Sequence, residues 1–464
     1  MGVKRILIDC TEANGRGAID FSRQPTGIPR VVLKYIEVGY DWGRRTGIPV
    51  MPVVPHHGGV VLRRPVPGKN PPPQLLELAA KEKAELLAAE LAVGFLDYFC
   101  QVIYHLFYLI AALLPFTPIK VLAKWVDYRL VRKMKDFSER LSIEPYQLNL
   151  QPGDILFTPA YWHDIDPGIY RSIRTTGAQV VVLVHDLLPI IFDRFYPAPW
   201  CYEFKDKVTA ACGYADAIFC VSDFTRSALI EFASRQKQKI PPLMTAYNGF
   251  EALADREMLG SSLVRPRIEK VFDGPLRPFL MVGTIEPKKG HLPTLKCFEA
   301  IWRAGYNRHL VIIGRRGWME QSITDAIEYS PYLGKKLFWL TEIDDFDLAT
   351  AYHQSHALIL SSFGEGFGLP MIEASSFGKP TIAFDNPTTR EILGDVGLFF
   401  RDAWGLVDRI VELEDAELYQ KACDAALGVS WPSWNEYTPR VFDMLAIVAD
   451  DPKRLPERVP KALS

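Results

Sequence analysis

The sequence predicts an α/β protein built from two doubly wound domains, and three observations carry that prediction. Its 464 residues are more than one hydrophobic core usually holds, so about two domains are expected. Short apolar runs that end in glycine or polar turns recur along the chain, as buried parallel strands do. One stretch, Ala357–Asp385, reads as a complete βαβ unit.

In that unit Ala357-Leu-Ile-Leu-Ser-Ser362 is the first strand, and it stops at Phe363-Gly-Glu-Gly-Phe-Gly-Leu-Pro370. Pro370 suits the start of a helix that Met371–Phe377 continues; Gly378-Lys-Pro380 ends it, and Thr381-Ile-Ala-Phe-Asp385 is the next strand. The loop leaves backbone N–H groups free at a positive helix end, so Gly366, Phe367, Gly368 and Leu369 form a cradle for phosphate or a sugar hydroxyl. Glu365 and Glu373 frame it. From spacing alone they are either ligand-binding carboxylates or, respectively, a solvated loop residue and a residue that favours the first helical turn. A dinucleotide fingerprint is the rival reading, with Asp385 as the ribose acid, and it fails at Leu369, where a third glycine is required.

From the start of the chain, Met1–Asp9 reads as a first buried strand, followed by a polar loop, Pro25-Thr-Gly-Ile-Pro-Arg30 and a helical run Val31–Tyr40. Residues 64–75 are rich in Pro and Gly, and 74–145 read as a helical insertion. Within it, 98–119 carry no formal charge but are broken by Gln101, His105, Pro115, Thr117 and Pro118. The following segment places Lys120, Lys124, Arg129, Arg132, Lys133, Lys135 and Arg140 among Leu122, Trp125, Tyr128 and Leu130. Three readings stay open: a spanning helix, a basic hairpin covering the first sheet, or docking of 98–140 on an anionic membrane surface.

Regular alternation resumes at Asp154–Phe157. Val180–Val184 ends in His185-Asp186, and Ala217–Val221 ends in Ser222, a helix cap; both strand ends are expected to open on a cleft. Asn248-Gly249 marks a turn near the end of the first domain. A linker within 262–277 leads to Phe279–Val282 and His309–Ile313, each ending in glycine, at Gly283 and Gly314. The expected domains are therefore 1–265, 266–430 and a helical tail, 431–464.

Composition excludes other classes. A net charge of −2 gives no support to nucleic-acid binding. Seven scattered cysteines without a C-x-x-C predict neither disulfides nor zinc, and fit a reducing cytoplasm. No leader is read at the first strand, and Gly2 lacks the serine or threonine of a myristoylation signal. Asp164-Ile-Asp166 and Asp345-Phe-Asp347 have the form of an Asp-x-Asp metal site, but Asp344 and Asp345 precede a helical run, where capping is the commoner reason for Asp. No metal and no cofactor are expected.

Glu365-Gly-Phe-Gly-Leu-Pro-Met-Ile-Glu373-Ala, with Gly378-Lys-Pro380, resembles the E-x7-E signature of retaining glycosyltransferases of family 4. The resemblance implies the GT-B architecture, two Rossmann-like domains facing across a cleft, and a nucleoside-diphosphate sugar as donor. It assigns Glu373 to the nucleotide ribose, Glu365 to the donor sugar and Gly27 to an N-domain loop facing the donor. Gly283-Thr-Ile-Glu-Pro-Lys-Lys289 resembles the diphosphate loop, which puts Lys289 on the phosphates. Relatives often carry arginine where this chain has Thr284, so Lys288 is the candidate second cation. His185 and Asp186 match the strand-end pair near the acceptor and donor sugar, and Arg315 after the next strand is a further donor contact. The expected activity is retaining, metal-independent hexose transfer, with a lean to GDP-mannose, onto a lipid-linked saccharide in surface-polysaccharide assembly, on the inner face of a membrane. The insertion departs from the family pattern. An epimerase or phosphorylase of the same fold and a non-catalytic sugar-nucleotide-binding protein are the alternatives.

Overall fold

A computed structural model describes residues 2–12, 19, 27–56, 59–62, 147–251, 253, 268, 271–272 and 276–459. The helical insertion, with 98–119 and the basic segment, lies outside the described residues, as does most of the expected linker. Among the described residues no helix is long and apolar enough to cross a membrane.

The first half is built on an eight-stranded sheet. Its strands are β1 (Arg5–Asp9), β2 (Val50–His56), β3 (Gly59–Leu62), β4 (Gln147–Leu148), β5 (Asp154–Thr158), β6 (Gln179–Val184), β7 (Ala217–Cys220) and β8 (Leu243–Thr245). The order is β4-β3-β2-β1-β5-β6-β7-β8, with antiparallel pairing at β2–β3 and β3–β4 and parallel pairing elsewhere. Strand β7 is buried along its whole length and β6 from Val180 to Val184, so they read as unbroken apolar runs rather than alternating ones.

The second half holds a six-stranded parallel sheet of β9 (Phe279–Val282), β10 (Leu310–Ile313), β11 (Leu337–Leu340), β12 (Ala357–Leu360), β13 (Thr381–Phe384) and β14 (Leu398–Phe400). The order β11-β10-β9-β12-β13-β14 reverses direction between β9 and β12. Loops leaving neighbouring strands at such a reversal run to opposite faces and open a crevice at the strand ends. The loops that leave here are Gly283–Gly290 and Phe363–Gly368, the two glycine-rich motifs.

The expected βαβ unit forms with short differences at its edges. The helix is Leu369–Ser376, one residue ahead of Pro370, because Gly368 takes a left-handed φ of 92° and turns the chain into it. The first-half helix runs Ile28–Thr46, longer than the apolar run Val31–Tyr40. It ends where Gly47 adopts φ 75° and its N–H bonds the Gly43 carbonyl. Ser222 caps the helix after β7 by accepting from the Thr225 N–H at 3.1 Å.

The last long helix, Trp434–Asp450, returns to the first half. Phe442, fully buried, stacks on Trp42 with ring centroids 5.4 Å apart, and the Trp42 indole donates to Asp443 at 2.9 Å. A side chain at Gly39 would lie 2.7 Å from the Phe442 ring, so glycine there sets the closeness of the two helices. The first hydrophobic core continues through this helix into Phe367, Met371 and Ile372 of the second half.

Candidate active site

The two halves meet across a cleft of about 600 Å³. From the first half come Gly27, His185 and Asp186; from the second come Thr284, Lys288 and Lys289. Thus six of the residues selected from sequence line one cavity. Gly27 has φ 64°, a backbone shape that favours glycine; the preceding Thr26 lies outside the described residues.

The halves come into close backbone contact at Gly366. A Cβ there would stand 2.0 Å from the His185 carbonyl oxygen and 3.2 Å from Asp186 Cβ. Glycine is required because backbone meets backbone, and the same contact brings the Glu365 loop against the end of β6.

Lys289 Nζ donates to Glu365 Oε1 at 2.6 Å. Burial by itself would raise the Glu365 carboxyl, but the charges of Lys289 and Lys288 outweigh it and hold the group below the usual carboxylate range. The Glu365 backbone carbonyl accepts from Thr388 Oγ1 at 2.7 Å, and Asn386 Nδ2 donates to the Ser362 carbonyl at 3.0 Å, so the loop is held from beneath.

Glu373, one turn into the helix, is buried beside Tyr352, whose hydroxyl donates to it at 2.9 Å. Arg30 of the first half approaches it at 3.5 Å. Here burial wins: the Glu373 carboxyl is raised, against the pull of Arg30 and Tyr352. Phe367 turns its side chain into the core, against Trp431 at 5.2 Å, so only its backbone faces the cradle. Among the described residues no side chain caps the first turn that begins at Leu369.

His185 Nε2 lies 2.7 Å from the Pro159 carbonyl, an acceptor only, so Nε2 carries the proton and Nδ1 keeps its lone pair. Burial lowers the pKa of this ring, and it is neutral at pH 7. Asp186 Oδ1 accepts from the Leu188 N–H at 3.0 Å and shapes the turn.

Lys288 points elsewhere than Lys289. Its ammonium lies 5.6 Å from the ring centres of both Tyr196 and Trp318, and 3.7 Å from Glu286 Oε2. Burial works against its charge, yet Asp186, Glu286 and Glu365 hold its pKa above the usual lysine range. Arg315 is exposed on the loop after β10, where its charge offsets part of the burial that raises the Tyr161 phenol. Arg316 turns away, to Glu328 and Thr324.

At the Asp-x-Asp motifs, Asp344, just before the second pair, accepts from the Asp347 N–H at 2.9 Å through Oδ1, and Asp166 Oδ1 accepts from the Gly168 N–H at 3.0 Å. Both are helix caps. Arg30, Tyr352, Glu286 and the rings of Tyr196 and Trp200 are site residues that sequence reasoning passed over. Arg30 offered one signal, its place three residues after the Gly27 turn. His163 also lines the cleft, edge-on to Trp200 at 6.3 Å.

Comparison with known proteins agrees with the two-sheet fold. Residues 267–424 match the family model of glycosyl transferases group 1. The serotype-specific mannosyltransferase WbdA of Escherichia coli is 33% identical over 289 residues, 61% of this chain and 35% of that protein. The O-antigen chain mannosyltransferase B of Escherichia coli is 26% identical over 233 residues, 50% of this chain and 59% of that one. The chain therefore spans about a third of the length of the WbdA proteins it matches. Among solved structures, sucrose-phosphate synthase of Thermosynechococcus elongatus aligns with a TM-score of 0.56 at 15% identity, over 95% of this chain and 98% of that one. Residues 267–424 are thus a glycosyl transferases group 1 domain, in a chain with the two-domain GT-B fold.

Proposed function

We propose that this chain transfers mannose, with GDP-mannose as donor, to a saccharide carried on a lipid during assembly of a surface polysaccharide. The observation that carries the reading is the pair Lys289–Glu365 set against His185 across the Gly366 contact. Two lysines on a glycine turn offset the negative charge that develops on a departing diphosphate, and they do so best in a cleft with little water. Lys289 uses one N–H on Glu365 and keeps two for phosphate oxygens. Ionised Glu365 accepts from sugar hydroxyls, and His185 Nδ1 accepts one more. The names of the relatives supply mannose and the O-antigen setting.

In this reading the anomeric configuration is retained and no metal takes part. The leaving phosphate takes the acceptor's proton, so neutral His185 orients and no protein base is needed. Glu373 serves the ribose hydroxyls from the first turn of its helix, held in place by Tyr352 and Arg30. Arg315 and the Gly366–Leu369 backbone complete the donor contacts.

Thermal-shift measurements with GDP, UDP and their sugars, followed by a transfer assay, test the reading. Stabilisation by GDP-mannose with transfer to a mannoside is expected. No stabilisation by any of these nucleotides would overturn it, and stabilisation without transfer to any acceptor would favour a binding protein. The membrane part has its own test: flotation with anionic liposomes at low salt is expected, and its absence would remove the docking role of 98–140.

A further inference from the structure

The cleft has a second wall that the transfer chemistry does not use. Tyr196 and Trp200 of the first half and Trp318 of the second form a triangle of rings. Their centroids are 5.4 Å apart for Tyr196–Trp200, 5.6 Å for Tyr196–Trp318 and 6.4 Å for Trp200–Trp318. Trp318 keeps 39% of its surface exposed, an apolar area that water does not favour. Beside the rings stands Glu286, 4% exposed, whose Oε2 accepts no hydrogen bond among the described residues. Its nearest cation, Lys288, stands 3.7 Å away, beyond hydrogen-bond range, so Oε2 still has room for a donor from outside the protein.

We propose that this wall is the acceptor subsite, and that it takes a hexose ring of the receiving saccharide; the proposal rests on the glycosyl-transfer reading above. A hexose has an apolar face of C–H groups and an edge of hydroxyls. The polarised C–H face is attracted to the negative face of an indole, and the hydroxyl edge supplies the donor that Glu286 lacks. His163, in contact with Trp200, stands ready for a second hydroxyl.

Lys288 stands at the border between this subsite and the diphosphate. Lys289 points to Glu365, whereas Lys288 lies over Tyr196 and Trp318, so the platform occupies the Lys288 side of the cleft. Because Trp318 comes from one half and Tyr196 and Trp200 from the other, the platform is complete only when the cleft is closed. Acceptor binding and closure are therefore linked.

The test uses the full chain with two probes: GDP-mannose followed by calorimetry, and mannobiose followed by saturation-transfer NMR. Trp318→Ala is expected to weaken mannobiose about tenfold and to leave GDP-mannose within about twofold, while Trp318→Phe restores most of the loss. Glu286→Gln, which keeps the shape and loses the charge, is expected to weaken mannobiose as well. Unchanged mannobiose affinity in Trp318→Ala, or no mannobiose binding by the unaltered chain, would overturn the proposal. A parallel loss of GDP-mannose would also overturn it, by giving the platform to the nucleobase. Failure of the unaltered chain to bind GDP-mannose, with the mannobiose contrast intact, would instead count against the donor reading alone.

Discussion

Glu365 and Glu373 lie eight positions apart in one loop and helix, yet their surroundings push them in opposite directions. Glu365 is bonded by Lys289, which lines the cleft, and the two lysines hold it ionised. Glu373 faces the seam between the halves, where burial dominates and raises its carboxyl despite Arg30 and Tyr352. The spacing sets where each carboxylate stands. Its charge state is decided by the surroundings that distant parts of the chain build, the lysine charges at Glu365 and burial at Glu373.

The largest expected effects fall on the cleft side of this contrast. Glu365→Gln keeps the shape but loses the charge that orders Lys289, and transfer should fall by about two orders of magnitude with the nucleotide affinity retained. Steady-state rates beside a GDP titration measure both. Gly366→Ala should act almost as strongly, since the added carbon would sit 2.0 Å from the His185 carbonyl and force the halves apart. A rate within twofold of the parent would break the claim that this contact sets the cleft.

On the seam side, Arg30→Ala leaves Glu373 buried with Tyr352 alone. We expect a loss of about 1–3 kcal/mol in stability, read by denaturant unfolding, because an unpaired buried carboxylate is costly. That variant should also show stability that falls more steeply as pH rises, since an acid whose folded pKa is raised favours folding while protonated.

Asp9 sharpens the same point away from the cleft. Fully buried at the end of β1, it is raised by burial to about 6, although Thr11 and Tyr170 bond it. A carboxyl raised in the folded state contributes its full stability below the unfolded value near 4 and loses it as pH rises through about 6. Asp9→Asn should therefore stabilise the protein at pH 7.5 by no more than about 3 kcal/mol, and the advantage should vanish by pH 4. Thermal midpoints of both proteins across that range check the sign.

Much of the fold is legible in the sequence because buried parallel strands are continuous apolar runs and their ends are marked by glycine. Val180–Val184 and Ala357–Leu360 needed no tertiary information. His185 was legible as a strand end, whereas Lys288, Lys289 and Glu365 were legible through the resemblance of their loops to family motifs. What escaped was pairing over long separations. Arg30 and Glu373 are 343 positions apart, and Tyr196, Trp200 and Trp318 are ordinary aromatics until the halves close on one another.

The central claim, that Lys289 and Glu365 form the diphosphate end of a nucleotide-sugar site, is tested most directly by calorimetric titration of GDP into the unaltered chain and into Lys289→Ala. Binding by the former and a loss of at least about tenfold in the latter are predicted, as expected for removal of one half-buried cation from a phosphate contact. Equal affinity in the two proteins, or no binding of GDP by either, would contradict it.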